Sequence, residues 1–322
     1  MALPTGPIIG IMVDNLRLRK SVIPLSKGKM TGWADGLNLP RGGDTVLYTG
    51  LMYQLMPSIV AMADRMGRFE NSPIRHLMGL GRLANKVVNL SFFMARSRPE
   101  IRGAYNDRLR TIAELLLDAD VEFGYLYDEE LYSGALVYDN GVMDVFARHA
   151  RRVHDVLRRR GVRRVITVDP HTLNMFRDVY PKFVEGFDVK AESYLEVLAR
   201  SGFKTDVDTG GKVVIHDSCV YARYENVLEQ PRALLCGTGA QVCEPDYARE
   251  LTLCCGGPIE SLFPSRSKEV ARERIGQLAE WGRDVAVMCP ICLFNLTEAA
   301  EASGADVRVR DICEYLAEAR PS

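Results

Sequence analysis

Five thiols stand in three groups toward the end of the chain: Cys219, the adjacent pair Cys254 and Cys255, and Cys289-Pro290-Ile291-Cys292. The thiolate is a soft metal ligand and a nucleophile, so cysteines gathered in this way point to metal binding or redox chemistry. Two cysteines with two residues between them can straddle one metal, whereas an adjacent pair directs its side chains differently and suits a cluster with more than one iron. Gly256 and Gly257 let the backbone approach closely or adopt positive φ, and Pro290 stiffens the loop at Cys289. A disulfide framework is the poorer expectation. The 322 residues can bury a core without staples, and all eight cysteines fall after residue 218.

To bring these groups together, separate strands must end at one edge. Alternating β-branched runs and helical stretches give an α/β reading. Candidate strands are Thr45-Val46-Leu47-Tyr48, Val121 to Tyr125, Arg164 to Val168, Lys212 to Ile215 and Asp284 to Met288. Each cysteine group follows such a strand or lies in the turns after one. In a parallel sheet the carboxyl ends share an edge, so the groups converge although tens of residues separate them. Between the strands, Val142 to Arg160 reads as a helix with Val145, Phe146, Val153, Val156 and Leu157 on one face. Arg148, Arg151, Arg152, Arg158 and Arg159 give it a solvated opposite face.

The chain also aligns with itself. Val46 to Leu51 parallels Val214 to Cys219, Leu131-Tyr132-Ser133-Gly134 parallels Leu253-Cys254-Cys255-Gly256, and Asp169-Pro170-His171-Thr172 parallels Cys289-Pro290-Ile291-Cys292. Each half closes on a related segment, residues 189–199 and 307–317. The expected organisation is therefore a leader over 1–44, an α/β domain over 45–205 with an insertion near 63–103, and a second α/β domain over 206–322. The junction is the turn-rich stretch Asp206 to Gly211, and both sheets should be mainly parallel. In the first domain Leu51, Tyr132, Ser133, Asp169 and Thr172 occupy the cysteine positions, so no thiolate remains there.

His216-Asp217-Ser218-Cys219, the pair Pro231-Arg232, Cys254-Cys255-Gly256-Gly257, and Cys289 to Cys292 followed by Asn295-Leu296 resemble the cysteine-rich CCG domain of the heterodisulfide reductase B subunit and its relatives. The resemblance is strong over residues 205–322 and weak over 45–200. It implies an iron-sulfur redox subunit with one [4Fe-4S] cluster on Cys219, Cys254, Cys255, Cys289 and Cys292, of noncubane form in the heterodisulfide reductases. His216, Asp217, Gly256 and Pro290 would surround those ligands. Asp217 serves either hydrogen bonding near a thiolate or turn capping, and His171 and Asp169 are either cleft groups or satisfied loop residues.

The same domain in relatives works in thiol-disulfide reduction and in electron relay within flavin-dependent or quinone-linked dehydrogenases, which leaves both open as functions of an oxidoreductase subunit. With no ferredoxin-type Cys-x-x-Cys-x-x-Cys run, electrons would come from a redox partner subunit, either ferredoxin-like or a flavoprotein. A disulfide or thiol is the matching substrate class. A structural zinc module is the alternative from another class, against which the fifth thiol argues, because tetrahedral zinc needs four. A metal-free dithiol pair of Cys289 and Cys292 would leave three thiols unused.

Charge and hydropathy limit the partners. Lys plus Arg total 41 against 42 acidic residues, a net charge of -1, which gives no reason to expect nucleic acid. Apolar stretches over Leu51 to Met66 and Leu77 to Met94 are broken by Pro57, Asp64, Arg65, Arg82 and Lys86, short of a direct membrane span. The first residues lack a secretory pattern, so cytoplasmic location is expected, with membrane association through a partner subunit. Gly79 to Ala84 has the form G-x-G-x-x-A without a preceding strand, a poor dinucleotide fingerprint. Met52, Met56, Met62 and Met66 read as packing residues, Cys236 and Cys243 as buried thiols, and Cys313 as core.

Overall fold

The computed structural model describes residues 4–69, 78–87, 97–203 and 210–320. The junction proposed at 205/206 lies outside them, as does much of the 63–103 insertion. In chain order the helices are α1 (Thr5–Arg19), α2 (Lys27–Thr31), α3 (Met52–Phe69), α4 (Met78–Val87), α5 (Pro99–Asp118), α6 (Ala135–Asp139), α7 (Met143–Arg159), α8 (Pro170–Asn174), α9 (Tyr180–Phe183), α10 (Tyr194–Ser201), α11 (Glu229–Gly237), α12 (Pro264–Ala279), α13 (Pro290–Ser303) and α14 (Ile312–Glu318). The strands are β1 (Thr45–Tyr48), β2 (Arg164–Thr167), β3 (Lys190–Ser193), β4 (Lys212–His216), β5 (Gln241–Cys243), β6 (Asp284–Val287) and β7 (Arg308–Asp311).

The chain is an α/β protein with two parallel sheets, ordered β1-β2-β3 and β5-β4-β6-β7. Strands β1, β2, β4 and β6 are apolar because helices cover both of their faces; Val46, Leu47, Val165, Ile166, Val214, Ile215, Val285 and Ala286 are wholly buried. The two sheets match element by element. Both β2 and β6 run into an extended residue, Asp169 (φ -143°) or Cys289 (φ -140°), followed by proline at the first helical turn. Both β3 and β7 run into a capping box, Ser193 with Glu196 and Asp311 with Glu314, which satisfies the first helical N–H groups.

Two details depart from the sequence reading. Val121 to Tyr125 is not a strand: it meets β1 at the single bridge of Val46 with Gly124 and the segment before β1 at the bridge of Arg41 with Tyr125. The segment after Leu39 crowds its other side, and a Cβ at Gly124 would stand 1.9 Å from the Gly42 carbonyl oxygen. That edge corresponds to β5 in the second sheet. In keeping with the poor fingerprint read from the sequence, the Gly79 to Ala84 run lies inside α4, so its glycines form no phosphate-cradling loop. Strands β3, β5 and β7 were not singled out, because they sit at edges or near them and carry short, partly polar sequences.

One hydrophobic core runs through both sheets, from Val13 to Leu316. Met52 and Met56 are buried in it, and Met62 packs against it; the Met66 side chain lies outside the described set. Helix α3 from the first half packs on α12 and α13 of the second, and α5 packs on α14. Polar ties reinforce this joint. Tyr53 OH donates to Asp311 Oδ2 at 2.6 Å, and Arg108 reaches both carboxylate oxygens of Glu314 at 3.2 Å. Burial pushes the Asp311 carboxyl up, and the Tyr53 hydroxyl counters that push. Replacing Tyr53 by phenylalanine should therefore lower stability by about 1–3 kcal/mol, the usual penalty for stranding a buried acceptor. Urea unfolding of the variant at neutral pH measures it, and an unchanged midpoint would refute the tie.

Candidate metal centre

Cys219 follows the end of β4 by three residues, and Cys289 follows the end of β6 by two. These strands are neighbours in the sheet, so the two cysteines rise from one edge. Cys289 is the N-cap of α13 and Cys292 sits in its first turn, where helical N–H groups and the helix dipole favour a thiolate. Cys254 and Cys255 stand on the loop between the short turns Arg249–Leu251 and Gly257–Ile259. The structure thus brings all five cysteines together.

Their thiols interact in a row. Cys219 hydrogen-bonds with Cys254, Cys254 with Cys255, Cys255 with Cys292, and Cys292 with Cys289. Among the described residues no group of three or more His, Cys, Asp or Glu side chains is set around a single ion. The hydrogen bonds from Cys219 and Cys255 pull the Cys254 thiol down to about 2. Burial opposes charge on Cys289, yet hydrogen bonds from Cys292 and His171 hold its thiol well below the ordinary range. Cys219, Cys255 and Cys292 are pushed up by hydrogen bonding to these neighbours and by burial. Hydrogen bonding thus favours the thiolate form at Cys254 and Cys289, the form in which a cysteine binds a metal. Cys255, Cys289 and Cys292 are buried, whereas Cys219 and Cys254 are partly open to solvent.

The loops are held by bonds to the surrounding framework. Gly256 N donates to Cys254 Sγ at 3.3 Å. Gly256 has φ +85°, and a Cβ there would lie 2.5 Å from the Ser267 carbonyl oxygen, so glycine is required. Ser267 Oγ donates to the Gly256 carbonyl at 2.9 Å, and Asn295 Nδ2 to the Cys255 carbonyl at 3.2 Å. Pro290 opens α13, where no N–H is needed.

Asp217 takes a different role from either one expected. Its carboxylate accepts two bonds from Arg232, at 2.8 and 2.9 Å, and one from Arg249 N at 2.7 Å. Its carbonyl accepts from Thr252 Oγ1 at 3.0 Å. Asp217 therefore ties the segment leading into Cys254 to the end of β4. His216 is buried; its Nδ1 accepts from Arg274 Nε at 3.3 Å, while Nε2 has no partner. Burial and the Arg274 charge lower its pKa to about 3, so the ring is neutral with its proton on Nε2. That leaves one unspent donor within electrostatic reach of Cys254.

Arg274 and Thr252 carry no recognisable signal in the sequence. His171 is partly buried and in hydrogen-bond contact with Cys289. Asp169 caps α8 by accepting from Thr172 N at 2.9 Å. Of the other thiols, Cys243 and Cys313 are buried, but Cys236 is exposed near the end of α11 and so is not a packing residue.

The corresponding positions of the first half, Leu51, Tyr132, Ser133, Asp169 and Thr172, are all buried. Gly134 has φ +88°, matching Gly256. Aromatic packing fills the neighbourhood: Tyr48 meets Phe176 at 4.9 Å between ring centroids, and Phe176 meets Tyr180 at 4.9 Å. Tyr180 OH donates to the Ser133 carbonyl at 2.7 Å. A cavity of about 770 Å³ opens between α1 and α7, lined by Arg17, Lys20, Arg152 and Arg159 among others, but none of the cysteines lines it.

Five cysteine side chains, two of them favouring the thiolate, and an unspent imidazole N–H fit a thiolate-held polynuclear cluster. Admitting it would require the neighbouring thiols to part. Residues 213–297 match the family model of the cysteine-rich domain called CCG. The chain is 30% identical over 230 residues to a probable iron-sulfur-binding oxidoreductase, FadF, of Bacillus subtilis, covering 67% of this chain and 32% of that protein. It is 28% identical over 295 residues to the EtfAB:quinone oxidoreductase of Syntrophomonas wolfei, covering 85% and 40%. It is 26% identical over 219 residues to the D subunit of the dihydromethanophenazine:CoB--CoM heterodisulfide reductase of Methanosarcina mazei, covering 64% and 54%. The chain thus spans about a third to a half of the length of these relatives. Together with the cysteine-rich domain, they support an iron-sulfur cluster as the cofactor.

Proposed function

For a chain that carries a cysteine-rich CCG domain at residues 213–297, we propose the role of an electron-carrying oxidoreductase subunit with one [4Fe-4S] cluster. Cys219, Cys254, Cys255, Cys289 and Cys292 would hold it, and the domains would run over 45–205 and 206–322. The observation that carries this reading is the row of five interacting thiols drawn from three separate segments of the chain. When bound, such a cluster accepts and releases single electrons. The protein's own residues do the rest. Asp217 and Arg232 set the Cys254 loop against β4, Gly256 lets that loop turn, and α13 presents Cys289 and Cys292 at its positive end. The neutral His216 ring, within electrostatic reach of Cys254, would steady added negative charge with its unpartnered Nε2 proton.

A second use of the same site, two-electron reduction of a disulfide substrate to its two thiols or the reverse oxidation, is favoured by the partial exposure of Cys219 and Cys254. These two leave one edge of the row accessible, while the first half covers the other side. Electrons would be supplied by a ferredoxin-like or flavoprotein partner. Among the described residues no helix is long and apolar enough to cross a membrane.

Purification or reconstitution without oxygen is expected to yield a brown protein with about four irons and four sulfides per chain. A colourless protein holding a single zinc would overturn the assignment in favour of a structural module.

A further inference from the structure

Among the described residues, the half without thiols reaches the cysteine site through its helix α8. Helix α8 begins Pro170-His171, and it packs against Tyr221–Glu225, the turn that follows Cys219. Three contacts fix this joint. Asn174 Nδ2 donates to Glu225 Oε1 at 2.8 Å, Arg177 Nη1 stands 3.6 Å from Glu225 Oε2, and Ser193 Oγ and Tyr221 OH share a bond of 2.9 Å. On this support the His171 ring meets Cys289 in hydrogen-bond contact. Behind it, His171 Nδ1 faces Asp139 Oδ2 at 3.8 Å. That is longer than a hydrogen bond, so Asp139 acts on the ring through its charge. The residue matching His171 in the second half is Ile291, which can donate nothing.

We propose that His171, with the Asp139 carboxylate behind it, donates a hydrogen bond to the Cys289 sulfur and raises the reduction potential of a cluster held there. The inference deepens the iron-sulfur reading and rests on it. A donor aimed at a coordinating sulfur draws charge from it and favours the reduced, more negative state. In a buried site with few competing dipoles the effect is larger than in water. The first half then does more than cover the site: it supplies a positioning residue that sets how readily the cluster accepts an electron.

The test is an anaerobic redox titration of the full chain with mediator dyes, followed by EPR and visible absorbance. Iron and sulfide are assayed on the same samples. His171→Ala should lower the potential by about 59 mV, a tenfold loss in the one-electron reduction equilibrium. His171→Gln, which keeps an N–H donor, should recover most of it, and Asp139→Asn should shift it in the same direction by less. A potential unchanged in His171→Ala, at wild-type iron content, overturns the proposal. Should that variant lose its cluster, His171→Phe and Asp139→Asn carry the measurement, and two unchanged potentials overturn it equally. A wild-type chain that takes up no iron defeats the iron-sulfur reading itself, and the iron assay tells that failure from the other.

Discussion

Cys255→Ser is expected to strip the protein of its colour. Cys255 is buried at the middle of the row of thiols, interacting with both Cys254 and Cys292, so it joins the loop pair to the α13 pair. A serine hydroxyl in its place is a poor ligand for iron and cannot close the row. Changes merely outside a metal's ligand shell already cost about 10–100-fold in affinity, so loss of this thiol should cut bound iron about tenfold or more. Iron and sulfide assays with the visible spectrum measure it, and a spectrum like that of wild type would remove Cys255 from the ligand set. Cys236→Ser is the control: Cys236 is exposed and lies outside the row, so iron content should not change.

Arg232→Ala should have the largest effect on stability. Arg232 and Asp217 are both almost fully buried and form a two-bond ion pair, with Glu244 as a second partner of the arginine. Removing the guanidinium leaves the Asp217 carboxylate at 1% exposure with only the Arg249 N–H to answer it. Breaking a buried pair on one side costs about 3–5 kcal/mol. Because Asp217 also holds the segment leading to Cys254, the variant should bind iron more weakly than its stability alone would suggest. Chemical unfolding of the metal-free chain gives the first quantity and iron titration the second. A loss under about 1 kcal/mol would mean that water replaces the arginine, as it does at exposed pairs.

What could be read in the sequence follows from how local each feature is. The five cysteines were legible because strand ends in a parallel sheet converge, a rule that needs no contact to be known in advance. The repeat was legible in Asp169-Pro170 and Cys289-Pro290, since the same turn chemistry is required wherever a strand enters a helix through proline. Strands β3 and β7 showed only as a repeated segment. Their residues Lys190-Ala191-Glu192-Ser193 and Arg308-Val309-Arg310-Asp311 lack an apolar run, because edge strands pair on one side and keep a wet face. The 121–125 run misled for the opposite reason: it has strand-forming residues, but the neighbouring chain limits its pairing to two bridges. Asp217 with Arg232, His216 with Arg274 and His171 with Cys289 were out of reach. Each pair is set by the meeting of distant elements, and nothing periodic marks either member.

The continuous core has a consequence for the half that lacks thiols. Helix α13 carries Cys289 and Cys292 on its first turn and rests its flank on α3, while α14 rests on α5. A fragment cut away before residue 206 would keep every sulfur and lose the surface those helices lean on. Such a piece would have the right ligands on an unsteady mount, with Tyr53 no longer there to answer Asp311. The ligand-free half is thus a wall of the same building, and the inventory of ligands alone does not tell how much of the chain a working site needs.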